Sequence, residues 1–283
     1  MVYIEQKIKE FTYTNAVNPT PLYDLETEYV IGDLARVDSK VYKSTLESNL
    51  GNDPLENLNI YWIEWLPAND YAILDLLEET KTEWDADGIV EFTRGRKDTI
   101  GIGNFKAKKI TIQYLDSEKN EVGVEEYDFS ANGDVWNEWD YGYEGFTDSV
   151  DKAVYVKFRK LGTYIRITFS SNGGNTNCGF MVAGEAEDMG TTMDDVSFPD
   201  KRLGDRTVNT ASFDTKLQNT SLMRRTSQAK KLIDVVMLFV IDPSENSLHD
   251  NMIILGKITK CDATASQMSK NKISWQIDQM IQE

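Results

Sequence analysis

The chain has 283 residues, of which 40% are hydrophobic and 27% charged, and that is enough apolar material to exclude wholesale disorder. Its 30 Lys and Arg face 47 Asp and Glu, a formal net charge of -17, which excludes a surface built to neutralise nucleic-acid phosphates. The cysteines Cys178 and Cys261 and the single histidine His249 exclude a disulfide scaffold, a four-cysteine zinc site and a histidine-rich metal centre.

Residues 1–15 carry Glu5, Lys7, Lys9 and Glu10 and hold no apolar signal-peptide core. The longest apolar stretch, near 235–241, is far short of the ~20 residues of a membrane helix. Synthesis in a cytoplasm, reduced cysteines and no membrane insertion are therefore expected. Net charge runs -10 over residues 1–80, -9 over 81–195 and +2 over 196–283. The change coincides with the breaker-like Ser197-Phe198-Pro199-Asp200. A three-part chain is expected: 1–78, 79–195 and 196–283.

In the first part, Pro19 and Pro21 keep residues 16–22 out of a central strand, because proline donates nothing to the ladder. Residues 34–37 and 41–44 flank Asp38-Ser39-Lys40 and read as a hairpin. Residues 49–59 read as a loop and 61–65 as an aromatic strand, and 71–80 fits a strand or a short helix.

In the second part, Ile110, Ile112 and Tyr114 share one face of a strand. The same period of two recurs at Val154, Val156 and Phe158, and at Ile165, Ile167 and Phe169. Residues 89–93, 122–129 and 178–183 add strands, and Asn172-Gly173-Gly174-Asn175 marks a turn. Six or more short strands with turns between them predict a mainly β chain with a central antiparallel β-sandwich, jelly-roll-like in topology. The third part is expected to be α+β, with a strand in the Val- and Leu-rich 231–240, one at 252–261 broken at Gly256, and one at 272–281.

Motifs that carry chemistry are scarce. His249 sits in Ser247-Leu248-His249-Asp250 with no strand–turn–helix elbow, and no Gly-x-Ser-x-Gly occurs. Cys178 falls in a strand, where a buried cysteine behaves as a small hydrophobe. Asp85-Ala86-Asp87-Gly88 opens like a calcium loop, but Arg96 stands where the twelfth-position carboxylate belongs. Gly101-Ile102-Gly103 lacks the third glycine of a dinucleotide loop. No catalytic residue, cofactor or metal ligand is assigned, and the chain is not expected to be an enzyme.

Aromatics are the enriched feature. Tyr61-Trp62-x-x-Trp65 and Trp136-x-x-Trp139-x-Tyr141-x-Tyr143 are dense clusters. Such residues stack on sugar rings, form cores, or act as hot spots of protein interfaces. Tyr42, Tyr61, Trp62, Trp65, Trp136 and Trp139 are the candidate glycan or interface aromatics. For Trp62 a place in a core or an interface is the first expectation. Trp136–Tyr143, among glycines, is expected to be a loop used in assembly. Arg224, Arg225, Lys230 and Lys231 form the densest basic patch and are candidate assembly contacts with the acidic surface of a neighbouring subunit.

The stretch Tyr29-Val30-Ile31-Gly32-Asp33-Leu34-Ala35-Arg36-Val37 with Val41-Tyr42, Asp53-Pro54 and Tyr61-Trp62-x-x-Trp65 resembles a chitin/cellulose-binding module of the type 5/12 class, over about residues 28–66. Motifs downstream of residue 66 point elsewhere. Pro67-Ala68-Asn69-Asp70-Tyr71-Ala72, then Cys178-Gly179-Phe180-Met181-Val182-Ala183-Gly184, then Asp214-Thr215-Lys216 with Arg224-Arg225 resembles a family of structural proteins of tailed-bacteriophage particles. That resemblance implies a virion location in the tail, neck (head–tail junction) or baseplate. It implies partners among other phage tail or neck proteins and copies of the chain itself. The alternative is recognition of a host surface glycan through Tyr42, Trp62 and Trp65.

Overall fold

The structure, a computed structural model, describes residues 2–77, 80–129, 152–171, 173–188, 191–192, 200–203, 206–217, 233, 235–240, 253–266 and 270–279. The candidates Trp136, Trp139, Arg224, Arg225, Lys230, Lys231 and His249 lie outside them.

Where hydrophobic side chains recur every second residue, the chain forms strands that bury one face. Five such strands make one sheet: β2 (Tyr13–Thr14), β7 (Gly88–Thr93), β9 (Lys109–Leu115), β10 (Glu121–Asp128) and β12 (Tyr164–Ser170), in the order β10-β9-β12-β7-β2. Its inner rows carry Ile110, Ile112 and Tyr114, then Ile165, Ile167 and Phe169, all fully buried. They pack against a second sheet of β6 (Thr82–Trp84), β8 (Thr99–Lys106), β11 (Lys152–Lys157) and β13 (Thr176–Gly184), ordered β11-β8-β13-β6. The result is the expected antiparallel β-sandwich.

The second sheet is covered on both faces. Val154 and Val156 of β11 point into the sandwich, while Ala153 and Tyr155 point the other way. There they meet Val2 and Ile4 of β1 (Val2–Glu5), Leu238 and Val240 of β18 (Val236–Val240) and Leu255 of β19 (Ile253–Ser266). These strands belong to a third, eight-stranded sheet with β14 (Ala186–Asp188), β15 (Thr191–Thr192), β16 (Asp200–Leu203), β17 (Arg206–Leu217) and β20 (Lys270–Gln279). Its β1 lies between β14 and β18, so the first residues of the chain pair with its last third.

Burial on both sides explains β8, a strand that a simple alternation of apolar and polar residues does not announce. Ile100 and Ile102 enter the sandwich core, and Gly101 and Gly103 leave room on the opposite face. A Cβ on Gly101 would meet Leu238, and one on Gly103 would meet Phe180. The Gly101-Ile102-Gly103 run is a packing device between two sheets.

The described residues of the last third form strands, and the helix expected within an α+β part falls outside them. One expectation there needs correction. The strand expected to break at Gly256 runs through it, because Gly256 is paired with Met237 on one side and Gln279 on the other. The irregularity falls between Ile258 and Lys260.

The fourth sheet is small: β3 (Leu34–Val37), β4 (Lys40–Ser44) and β5 (Trp62–Pro67), ordered β3-β4-β5. The predicted hairpin is β3–β4, turning at Asp38, whose φ is 50°. This module is spliced into the sandwich: β2 precedes it, and β6 comes after it. After Pro67 the ambiguous 71–80 stretch becomes a short 3-10 turn (Ala72–Leu74). Asn69 ties the two legs together. Its Nδ2 donates to the carbonyls of Val17 and Glu83 at 2.9 Å, and its Oδ1 accepts from the Glu83 amide at 2.8 Å. The Asp70 amide donates to Asn18 Oδ1 at 3.3 Å.

Candidate interaction face

Cross-strand register sorts the module into two faces. One carries Ala35, Tyr42 and Trp62, which close on Tyr29 to form the module core. Trp62 is fully buried and Tyr42 is 4% exposed. The indole of Trp62 stands edge-on to Tyr29 at 5.0 Å and to Tyr23 at 5.9 Å between ring centroids. Its Nε1 donates to the Asn52 carbonyl at 2.7 Å, which fastens the 49–59 loop over the ring. Tyr61 is half-buried against the same core. With a hydrogen bond satisfied and its full area removed from water, Trp62 contributes to module stability on the order of 3 kcal/mol.

The stacking platform of Tyr42, Trp62 and Trp65 is therefore not assembled. Two of its rings are core residues, and Trp65 alone lies open, at 47% exposure.

The opposite face holds Trp65 in different company. Lys43 lies beside Leu34 and Ile63 in register, and Val41 lies beside Arg36 and Leu66. The register shift between Val41 and Tyr42 leaves Trp65 as the extra residue of β5 and turns its ring under Lys43. Lys43 Nζ sits 4.2 Å from the ring centroid, a cation–π contact. Ile63 and Leu66 are exposed beside it. Twelve of the seventeen large apolar side chains exposed among the described residues fall between Leu22 and Leu66, so most of the exposed apolar surface belongs to the module.

Elsewhere among the described residues, two carboxylates, Glu91 and Glu125, find their partners within the protein. Glu91 is buried on β7, where Lys119 Nζ lies 2.7 Å from Oε1 and Arg166 reaches Oε2 through Nε and Nη2 at 3.1 and 2.8 Å. Thr12 Oγ1 donates to the same carboxylate. Burial pushes the Glu91 pKa up, but the hydrogen bonds and charges of Lys119 and Arg166 outweigh it and hold the group below the usual range. Glu125 accepts hydrogen bonds from the phenols of Tyr114 and Tyr127 at 3.0 and 2.9 Å. Burial and that carboxylate raise both phenol pKa values.

The Asp85–Gly88 turn is likewise occupied by protein. Asp87 accepts from Ser170 Oγ at 2.9 Å and from the Ser171 amide at 3.3 Å. Among the described residues no group of three or more His, Cys, Asp or Glu is placed to hold a metal ion. Cys178 is wholly buried, and burial raises its thiol pKa, which suppresses the nucleophilic thiolate. Among the described residues no helix is long and apolar enough to cross a membrane.

No family model matches the chain, and no curated protein matches it. Several solved structures show partial likeness, two of which illustrate its level. A fucose-binding module of Streptococcus pneumoniae is 12% identical, with a TM-score of 0.28 over 41% of this chain and 82% of that one. The lectin domain of lectinolysin, complexed with Lewis B antigen, is 13% identical, with a TM-score of 0.29 over 42% and 85%. At that level of similarity nothing passes from those proteins to this chain.

Proposed function

We propose that the chain is a structural subunit of a tailed-phage particle, built into the tail, neck or baseplate through protein–protein interfaces. The observation that carries this reading is the use made of the module's aromatics. Tyr42 and Trp62 are consumed by the module core, and Trp65 is set among Ile63, Leu66 and the ammonium of Lys43. A sugar site needs an open ring flanked by hydrogen-bonding groups for the hydroxyls. A tryptophan beside aliphatic side chains with a cation over its ring is the composition of an interface hot spot. The resemblance of the motifs downstream of residue 66 to phage-particle proteins favours the same reading, and the acidic charge suits a subunit that stays soluble until assembly.

The alternative is recognition of host surface glycan through Trp65, favoured by its 47% exposure. Electron cryomicroscopy of particles carrying the chain, together with a glycan array of the purified protein, separates the two. Density within the tail or neck with Trp65 covered, and an empty array, is the expected result. Density projecting from the particle with Trp65 open, and a specific array signal, overturns it.

A further inference from the structure

Resting on the assembly reading, we infer that copies of this chain associate head to tail, the acidic edge of one module docking on two basic turns at the far end of the next copy's sandwich. One turn joins β7 to β8 and carries Arg94, Arg96 and Lys97. The other joins β11 to β12 and carries Arg159, Lys160 and Leu161, next to Lys157 at the end of β11. The Arg94 amide donates to the Thr163 carbonyl at 2.9 Å and the Phe158 amide to the Asp98 carbonyl at 2.8 Å, so the turns lie side by side. Arg96, Lys157 and Lys160 are exposed, and among the described residues no carboxylate is paired with them. Asp98 is held by the Ala186 amide at 3.0 Å, and Glu118 and Glu185, exposed on adjoining segments, offset part of the positive charge. Leu161 is 85% exposed, more than any other large apolar side chain among the described residues.

The matching surface is the loop edge of the module. Residues 21–67 hold nine Asp and Glu against three Lys and Arg, and among the described residues only Glu64 of those nine has a cation, Lys40 at 2.8 Å. Tyr29 and Asn49 exchange backbone hydrogen bonds at 3.0 Å, which sets the 24–31 loop against the 46–50 loop. Ser48 Oγ donates to Glu28 at 2.5 Å across the same seam. Along it Glu26, Glu28 and Glu47 are exposed beside Leu25, Leu46 and Leu50, themselves exposed. Leucines in an acidic rim complement a leucine in a basic one. Apolar parts meet apolar parts, and charges of opposite sign meet around them.

The two surfaces cannot meet within one molecule. The module is rooted at the start of β7, where Asn15 bonds the Asp87 carbonyl and the Ile89 amide at 2.9 and 2.7 Å. β7 then runs six residues to the basic turns, about 20 Å at the rise of a strand. The acidic and basic surfaces therefore stand at opposite ends of the sandwich, and the complement of each is found on a second copy. Such a contact is heterologous, so it closes into rings or propagates as filaments.

Sedimentation of the purified full chain tests this. The wild type is expected to form dimers and larger species as its concentration rises. A turn variant (Arg96→Ser, Lys160→Ser and Leu161→Ser) and a module variant (Glu26→Gln and Glu47→Gln) are each expected to weaken self-association about tenfold, the scale of a hot-spot loss. Mixing the two variants leaves one intact pair of surfaces, the module of the first and the turns of the second, so a dimer of one copy of each is expected and nothing larger. All five positions are exposed, and unchanged circular dichroism keeps folding out of the comparison. A wild type that stays monomeric, a variant that associates as the wild type does, or a mixture that forms no dimer each overturn the inference. Particles that incorporate the turn variant at the normal level also overturn it and leave the assembly reading standing, whereas particles that lack the wild-type chain defeat the assembly reading itself.

Discussion

Leu238 of β18 rests directly on the backbone of Gly101 in β8: a methyl built on that glycine would come 1.9 Å from Leu238 Cδ2. The contact joins the doubly covered middle sheet to the third sheet, and so joins the centre of the chain to its C-terminal third. Gly101→Ala is expected to destabilise the protein by about 1–3 kcal/mol, the usual scale of overpacking. Leu238→Ala in the same chain should relieve part of that loss. Urea denaturation of the two single variants and the double variant measures the coupling, and strict additivity would show that the two residues do not share the space.

Glu91 makes stability depend on acid. Its folded pKa lies below the ordinary glutamate value of about 4.3. The carboxylate therefore stabilises the fold above that ordinary value and loses the contribution as pH falls through its lower folded pKa. Glu91→Gln should cost about 1–3 kcal/mol at pH 7, reduced from the value for a fully buried pair because Lys119 and Arg166 are part-exposed. The variant should also lose less stability than the wild type on acidification. Melting curves between pH 3 and pH 7 read both effects, and parallel pH profiles would remove Glu91 from the account.

Trp62 and Trp65 should separate stability from association. Trp62→Ala empties the centre of the module core and is expected to cost about 3–5 kcal/mol, seen as early proteolysis within residues 21–67. Trp65→Ala should change stability by less than about 1 kcal/mol and act on assembly instead. Equal losses of stability in the two variants would contradict the division into a core face and an open face.

Asn69 holds both legs of the inserted module through three hydrogen bonds. Asn69→Ala leaves the Glu83 amide and two carbonyls to water and should raise hydrogen exchange at Val17–Asn18 and Glu83 without melting β9 or β12. Exchange unchanged at those positions would mean that other contacts fix the module.

Tyr155 presents a buried hydroxyl without a hydrogen-bond partner among the described residues, and burial raises its pKa to about 12. Removing an unpaired buried hydroxyl recovers its desolvation cost. Tyr155→Phe is expected to be neutral or to stabilise by up to about 1 kcal/mol, and a clear loss on thermal denaturation would indicate a partner for the phenol.

The strands with regular alternation were legible because burial on one face imposes a period of two. Residues 110–114 and 165–169 announce the sandwich in this way, and the Asp38 turn announces the module hairpin. β8 was not legible, since burial on both faces replaces alternation of polarity by alternation of size, and Ile100-Gly101-Ile102-Gly103 then looks like a loop motif. The candidate aromatics were found as a cluster and Trp62 was expected first in a core or an interface, where it lies, but the division between Trp62 and Trp65 was not legible. Trp62 and Trp65 are three residues apart in one strand, where the pleat would put them on opposite faces. The hydrogen-bond register and its shift at Val41–Tyr42 select which ring is buried.

By itself the sequence determined that the chain is acidic, mainly β and rich in aromatics at one end, because composition and local periodicity depend only on neighbouring residues. Tertiary structure alone decided that β1 pairs with β18 across most of the chain, that the module is inserted between β2 and β6, and that Trp65 faces solvent. These depend on which distant strands share hydrogen bonds, and non-local pairing leaves no signature in any short window of sequence.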